Sequence, residues 1–112
     1  MRLPHADRAE IDAAKLKDYL LSTSHPLGRF KAAFFLSLGY EAEHWQRLAA
    51  DLREQHLALE VTPVPAAPHG TKFVIRGSLR GPSGRDVQLV SVWILPEGAD
   101  APRFVTAYPG DA

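Results

Sequence analysis

The chain has 112 residues, of which 46% are hydrophobic and 23% charged, which excludes a disordered polar chain. Thirteen basic and thirteen acidic residues cancel, so nucleic-acid binding driven by net charge alone is excluded. The sequence has no cysteine, which excludes disulfides, thiol nucleophiles and thiolate metal ligands. At this length we expect one domain, over residues 1–112.

The first half of the chain has the apolar periodicity of helices, and we predict a helical part over about residues 12–56. Its first helix, over residues 12–22, begins at Asp12, whose carboxylate can accept a hydrogen bond from a free N–H of the first turn. One apolar stripe recurs at helical spacing and contains Leu16, Tyr19 and Leu20.

A second helix is predicted over residues 27–38. Pro26 suits its start, where a missing N–H costs nothing, and Gly39 suits the left-handed position beyond its end. Whether the first two helices are separate or form one bent unit stays open. A third helix is predicted over residues 42–56, with an apolar stripe that is expected to bury Trp45.

After a proline-rich connection, apolar residues recur at every second position instead of at helical spacing. This alternation is typical of strands. Strands are predicted over residues 72–79, 86–95 and 103–108. An additional first strand near Val61 is an open alternative. Helices followed by strands predict an α+β fold, with N-terminal helices packed on a C-terminal antiparallel meander sheet of three to four strands, over about residues 61–109.

Positive charge is concentrated in the predicted hairpin, although the whole chain is neutral. Residues 72–85 contain no acidic residue and four basic ones, Lys72, Arg76, Arg80 and Arg85. The pattern fits a basic face that binds an anionic partner. The ordinary interpretation is a solvated strand edge, where Lys and Arg discourage pairing with another chain.

Residues able to bind or protonate an anion stand at the start of the second helix. His25 can serve as acid or base near neutral pH. Arg29 could bind a phosphate in bidentate fashion, and Lys31 adds a compact charge near the helix start. The ordinary alternative is that His25 is a loop residue capping the helix, with Arg29 and Lys31 on its solvated side.

Two hydroxyl side chains follow on the predicted last strand. Strict alternation places Thr106 and Tyr108 on one face together with Phe104. The two hydroxyls could bind a phosphate or orient a catalytic group, or they could be present because Thr and Tyr favour strands. Trp93, in the middle of the preceding strand, is expected to be a core residue.

No metal or cofactor is expected from the sequence. The four histidines His5, His44, His56 and His69 lack the spacing of metal ligands, and no glycine-rich loop has the pattern that binds phosphate. The first residues lack the apolar run of a signal peptide, and no stretch approaches 18 apolar residues. We therefore expect a cytoplasmic protein without membrane contact.

Several segments together give a resemblance over nearly the full length to an uncharacterised bacterial family of domains of unknown function. These segments are residues 3–7, 14–21, 25–32, 70–74, 79–85 and 105–109. No activity is assigned to that family, so the resemblance implies a bacterial origin and a shared fold without a function.

Helices followed by a meander, with a basic or histidine-bearing helix start and a Thr-x-Tyr last strand, also resemble the barnase–EndoU–colicin–RelE superfamily of toxin nucleases. By this looser resemblance His25, Arg29, Lys31, Thr106 and Tyr108 are the implied catalytic residues. The chain departs from a two-histidine mechanism because only one histidine is well placed.

We therefore interpret the sequence as a metal-independent, ribonuclease-like bacterial toxin domain that cleaves RNA by attack of its 2′-OH. His25 would be the base or acid, Lys31 and Arg29 would stabilise charge on the phosphorus, and Thr106 with Tyr108 would position the phosphate. The alternative is a non-enzymatic interaction module, such as an antitoxin or an immunity-like partner protein.

Overall fold

Helices come first and an antiparallel sheet follows in the computed structural model of the chain. It describes residues 1–24, 29–65 and 69–110, without the side chains of residues 29, 30 and 65. The helices are α1 (Ala13–Lys15), continued by the π-helical segment Leu16–Leu20, α2 (Arg29–Ser37), and α3 (Trp45–Asp51), continued by the π-helical segment Leu52–His56. Short 3₁₀ turns occupy Ala6–Arg8 and Ala42–His44. The strands are β1 (Val61–Pro65), β2 (Gly70–Arg80), β3 (Asp86–Pro96) and β4 (Arg103–Pro109).

The described strands form one sheet in the order β1-β2-β3-β4, with every neighbouring pair antiparallel. This is the predicted meander, and the α+β fold class is confirmed. The additional strand near Val61 is confirmed as β1, in which Val61 lies opposite Ile75. Pro63 is tolerated in β1 because an edge strand leaves one row of backbone groups outside the hydrogen-bonded ladder.

The residues predicted to begin or end helices have the expected geometry where the structure describes them. The Asp12 carboxylate accepts a hydrogen bond from the backbone N–H of Ala14 at 2.9 Å, as predicted for a cap. Gly39 has a φ of 96° just beyond the end of α2, the left-handed conformation expected of a stop. The predicted start of this helix, at residues 27 and 28, lies outside the described residues.

The core lies between the helices and one face of the sheet. Trp93 is fully buried there, with its ring in edge-on contact with Phe104 at a centroid distance of 5.2 Å. Other fully buried side chains include Leu16, Leu20, Phe35, Leu48, Leu52, Ile75, Leu79 and Leu89. The prediction for Trp93 is confirmed, whereas Trp45 is only partly buried against this core.

A β-bulge changes the alternation of β4. Phe104 lies opposite Trp93 and Thr106 lies opposite Val92, so Val105 is an extra residue without a partner. Phe104 therefore points into the core, and Thr106 points to the opposite face of the sheet with Val92. The prediction that Phe104 shares a face with Thr106 is wrong, because strict alternation assumes a strand without an inserted residue.

A buried histidine links α3's π-helical extension to the sheet. His56 is fully buried, with Nδ1 2.8 Å from the Ser91 hydroxyl and Nε2 3.3 Å from the carbonyl oxygen of Gly77. Since a carbonyl only accepts, Nε2 donates to Gly77 and the Ser91 hydroxyl donates to Nδ1 of a neutral ring. Burial lowers the pKa of His56, and the bond to Gly77 only partly opposes that shift.

We expect acid to destabilise the protein through His56. In the unfolded chain this ring takes up a proton near pH 6.5, but its pKa is lower in the native state. Below pH 6.5 the unfolded state thus binds more protons, and the free energy of unfolding falls by up to about 1.4 kcal/mol per pH unit. Urea unfolding of the wild type and His56→Gln between pH 7.5 and 5 measures this contribution.

The His56→Gln variant should lack that part of the pH dependence. The matched control is His44→Gln, which makes the same substitution at an exposed histidine. Parallel stability curves for the wild type and His56→Gln would contradict the assignment of a neutral buried ring.

Candidate functional site

Lys31 of α2 meets the polar side chains of β4. Its Nζ donates a hydrogen bond to the Thr106 hydroxyl at 2.8 Å, although the two residues are 75 positions apart in the chain. The same Nζ lies 5.8 Å from the centroid of the Tyr108 ring, within the range of a cation–π contact. The structure therefore brings Lys31, Thr106 and Tyr108 together.

Of the two other predicted site residues, the structure describes one only by its backbone and the other not at all. Arg29 is the first residue of α2, but its side chain lies outside the described part of the chain. His25 lies outside the described residues altogether. Their roles stay predictions from the sequence.

Tyr19 belongs to the same group of side chains and was missed as a site residue by the sequence analysis. Its hydroxyl accepts a hydrogen bond from Lys31 Nζ at 3.2 Å, and Nζ lies 5.3 Å from its ring centroid. The sequence placed Tyr19 in an apolar stripe, where its hydroxyl was the one available signal. We refer to Tyr19, Lys31, Thr106 and Tyr108 as the Lys31 cluster.

Local backbone geometry brings the members of the Lys31 cluster into reach. Tyr19 lies in the π-helical segment Leu16–Leu20, a widened turn of a kind that is frequent at functional sites. Thr106 directly follows the extra residue of the β4 bulge, which directs it away from the core. Lys31 is only partly buried, as are the hydrogen bonds that its ammonium donates.

The charge of the Lys31 cluster is positive, and its neutral groups are hydroxyls. Partial burial alone would raise the pKa of Tyr19, but hydrogen bonds from Lys31 and Thr106 outweigh that effect. The positive charges of Lys31 and Lys15 act in the same direction, and the pKa of Tyr19 is lowered. An ammonium with surrounding hydroxyls is suited to bind an oxyanion such as a phosphate.

The sheet face that Thr106 and Tyr108 share continues as a basic surface. Tyr108 lies opposite Val90, which in turn lies opposite Arg76 on β2. Lys72 occupies the same face of β2, since both basic residues alternate with the buried Phe73 and its neighbours. The predicted basic stretch therefore begins about two strand spacings, or roughly 10 Å, from Tyr108.

The described residues contain neither a metal-binding cluster nor a membrane-spanning helix. Within residues 1–24, 29–65 and 69–110, no group of three or more His, Cys, Asp or Glu side chains is arranged to hold a metal ion. In this same part of the chain, no helix has both the length and the apolar character needed to cross a bilayer.

Comparison with known proteins relates the fold to a solved structure. One chain of a structure described as a contact-dependent growth inhibition toxin–immunity protein complex from Klebsiella pneumoniae 342 matches with a TM-score of 0.66. The match covers 89% of this chain and 98% of that chain at 20% sequence identity, so it shows a shared fold. Among curated proteins, no sequence matches this chain.

The sequence itself matches a family over nearly its whole length, in agreement with the resemblance noted from its segments. The family model described as "Domain of unknown function (DUF6883)" matches residues 2–111. The chain therefore belongs to this family.

Proposed function

We propose that the chain is a bacterial toxin domain that cleaves RNA without a metal ion, by attack of the 2′-OH on the adjacent phosphorus. The observation that carries this proposal is the position of Lys31 Nζ, which donates to the hydroxyls of Thr106 and Tyr19 and lies beside the Tyr108 ring. A held ammonium among hydroxyls is the arrangement that stabilises a phosphate as it gains charge.

Each residue of the proposed site has a chemical role. Lys31 stabilises the negative charge that develops on the non-bridging oxygens of the phosphate under attack. Thr106 and Tyr108 position the phosphate through their hydroxyls. Arg29 adds a planar pair of donors, and His25 transfers a proton to or from the reacting oxygens.

The basic sheet face favours the proposal that the substrate is an extended anionic chain. Lys72 and Arg76 lie on the same face as Tyr108, so a strand of RNA bound at the Lys31 cluster would have its neighbouring phosphates near these cations. This local concentration of charge lets a chain with zero net charge attract a polyanion.

The shared fold supports a role in a toxin system. The matched chain belongs to a structure described as a complex of a contact-dependent growth inhibition toxin and its immunity protein. By analogy we propose that this chain acts in a bacterial toxin system in the cytoplasm and has a cognate antitoxin or immunity protein as its partner.

A substrate analogue tests the proposed reaction. We expect the purified protein to cleave single-stranded RNA in the presence of EDTA and to leave the 2′-O-methyl analogue intact, because the analogue lacks the attacking hydroxyl. Expression in a bacterium without a partner protein should stop growth. Equal cleavage of both oligonucleotides would contradict the mechanism.

A non-enzymatic interaction module is the second candidate, and the environment of Arg76 favours it. Arg80 forms two hydrogen bonds with Asp86, at 2.8 and 2.9 Å, whereas exposed Arg76 has no ion pair among the described residues. This function predicts no toxicity and no RNA cleavage. It also predicts that Arg76→Ala weakens binding to an immunity or toxin partner, with Arg85→Ala as an exposed basic control.

A further inference from the structure

The oxygen of Tyr19 lies beside the Lys31 ammonium. Lys31 Nζ donates to it at 3.2 Å and to the Thr106 hydroxyl at 2.8 Å. The ammonium stabilises the phenolate form of Tyr19 more than the phenol, and Thr106 also lowers the pKa of Tyr19. The ring stays partly buried, and its hydroxyl lies within hydrogen-bond distance of Lys31 Nζ.

The described members of the Lys31 cluster differ in their ability to accept a proton. The Lys31 ammonium only donates, and Thr106 is an alcohol of high pKa. The Tyr108 ring faces the Lys31 ammonium, but no hydrogen bond joins its hydroxyl to the described residues. Tyr19 is therefore the member whose basic form is stabilised by its neighbours.

We propose that Tyr19 is the catalytic base of this site. The inference rests on the proposed ribonuclease function and gives the role of base to Tyr19 rather than to His25. Tyr19 has the position for the role because the cation that stabilises its oxygen is the same cation that would bind the scissile phosphate.

The Tyr19 phenolate takes the proton of the 2′-OH while the 2′-oxygen forms a bond to phosphorus and the bond from phosphorus to the 5′-oxygen breaks. The departing 5′-oxygen takes a proton from water. The proton on Tyr19 then neutralises the resulting hydroxide, so the step requires no further reactant.

The pH dependence of this base follows from the groups that face it. Among the described residues, Lys15 of α1, Lys31 of α2 and Thr106 of β4 act on the pKa of Tyr19, and the Tyr108 ring of β4 contacts the same Lys31 ammonium. Both lysines favour the phenolate. The cleavage rate should rise with pH up to an inflection below pH 10, the ordinary pKa of tyrosine. Removing Lys31 should move that inflection to higher pH.

The test compares wild type, Tyr19→Phe and Tyr108→Phe on single-stranded RNA from pH 5 to 10. Tyr19→Phe should cleave about 10² to 10⁴-fold more slowly and lose the inflection. Tyr108→Phe carries the same chemical change within the cluster and should keep the inflection, whatever its rate. Ultraviolet titration of phenolate absorbance should show a step below pH 10 that Tyr19→Phe lacks and that Lys31→Met moves to higher pH.

The outcomes separate this inference from the proposed function. If wild type cleaves RNA and Tyr19→Phe keeps both rate and inflection, the base is another group and only the inference fails. If the phenolate titration of Tyr19 does not respond to Lys31→Met, the inference fails as well. If wild type cleaves no RNA, the proposed function fails and Tyr19 has no such role.

Discussion

The Lys31→Met variant should cleave RNA about 10² to 10³-fold more slowly than wild type, the usual cost of removing one donor that stabilises transition-state charge. Methionine keeps most of the aliphatic stem but removes the ammonium that contacts Thr106 and Tyr19. Single-turnover cleavage at saturating protein measures the change in the chemical step.

Lys17→Met is the matched control for this prediction. Lys17 is exposed, and the substitution removes the same charge from the same half of the chain. Its cleavage rate should stay within a few-fold of wild type. Equal rates for wild type and Lys31→Met would remove Lys31 from the catalytic site.

Trp93→Ala should lower the free energy of unfolding by about 3–5 kcal/mol, the usual range for truncating a buried aromatic side chain. The indole is fully buried, and its Nε1 donates to the Ser91 hydroxyl at 3.0 Å. A domain of this size is stable by only about 5–15 kcal/mol, so a large fraction of its stability would be lost. Equilibrium unfolding in urea measures the difference.

Trp45→Ala is the comparison for that loss. Its ring packs against the core while remaining partly exposed, so a smaller free-energy loss is expected. Equal losses at the two positions would show that burial of Trp93 does not dominate the stability of the sheet side of the core.

The helices and strands could largely be predicted because periodicity reports directly on burial. The Asp12 cap, the Gly39 stop and the three longer strands all follow from local rules. The bulge at Val105 could not, because a single inserted residue leaves no distinct composition and changes only the pairing. Its effect was to separate Phe104 from Thr106.

The site could be predicted in part. The residue types of Lys31, Thr106 and Tyr108 indicated anion chemistry, but their meeting depends on how α2 packs beside β4, which local sequence does not determine. Tyr19 was interpreted as core because its spacing fits an apolar stripe. Its hydroxyl acquires a role only through the position of Lys31 in the folded chain.

The ends of the reaction products test the central claim most directly. Mass spectrometry of a short RNA after incubation with wild-type protein and EDTA should show 2′,3′-cyclic phosphate on the upstream fragment, and Lys31→Met should form far less of it. Intact RNA at all protein concentrations, or fragments that carry a 5′-phosphate and a free 3′-hydroxyl, would contradict the proposed attack of the 2′-OH at the Lys31 cluster.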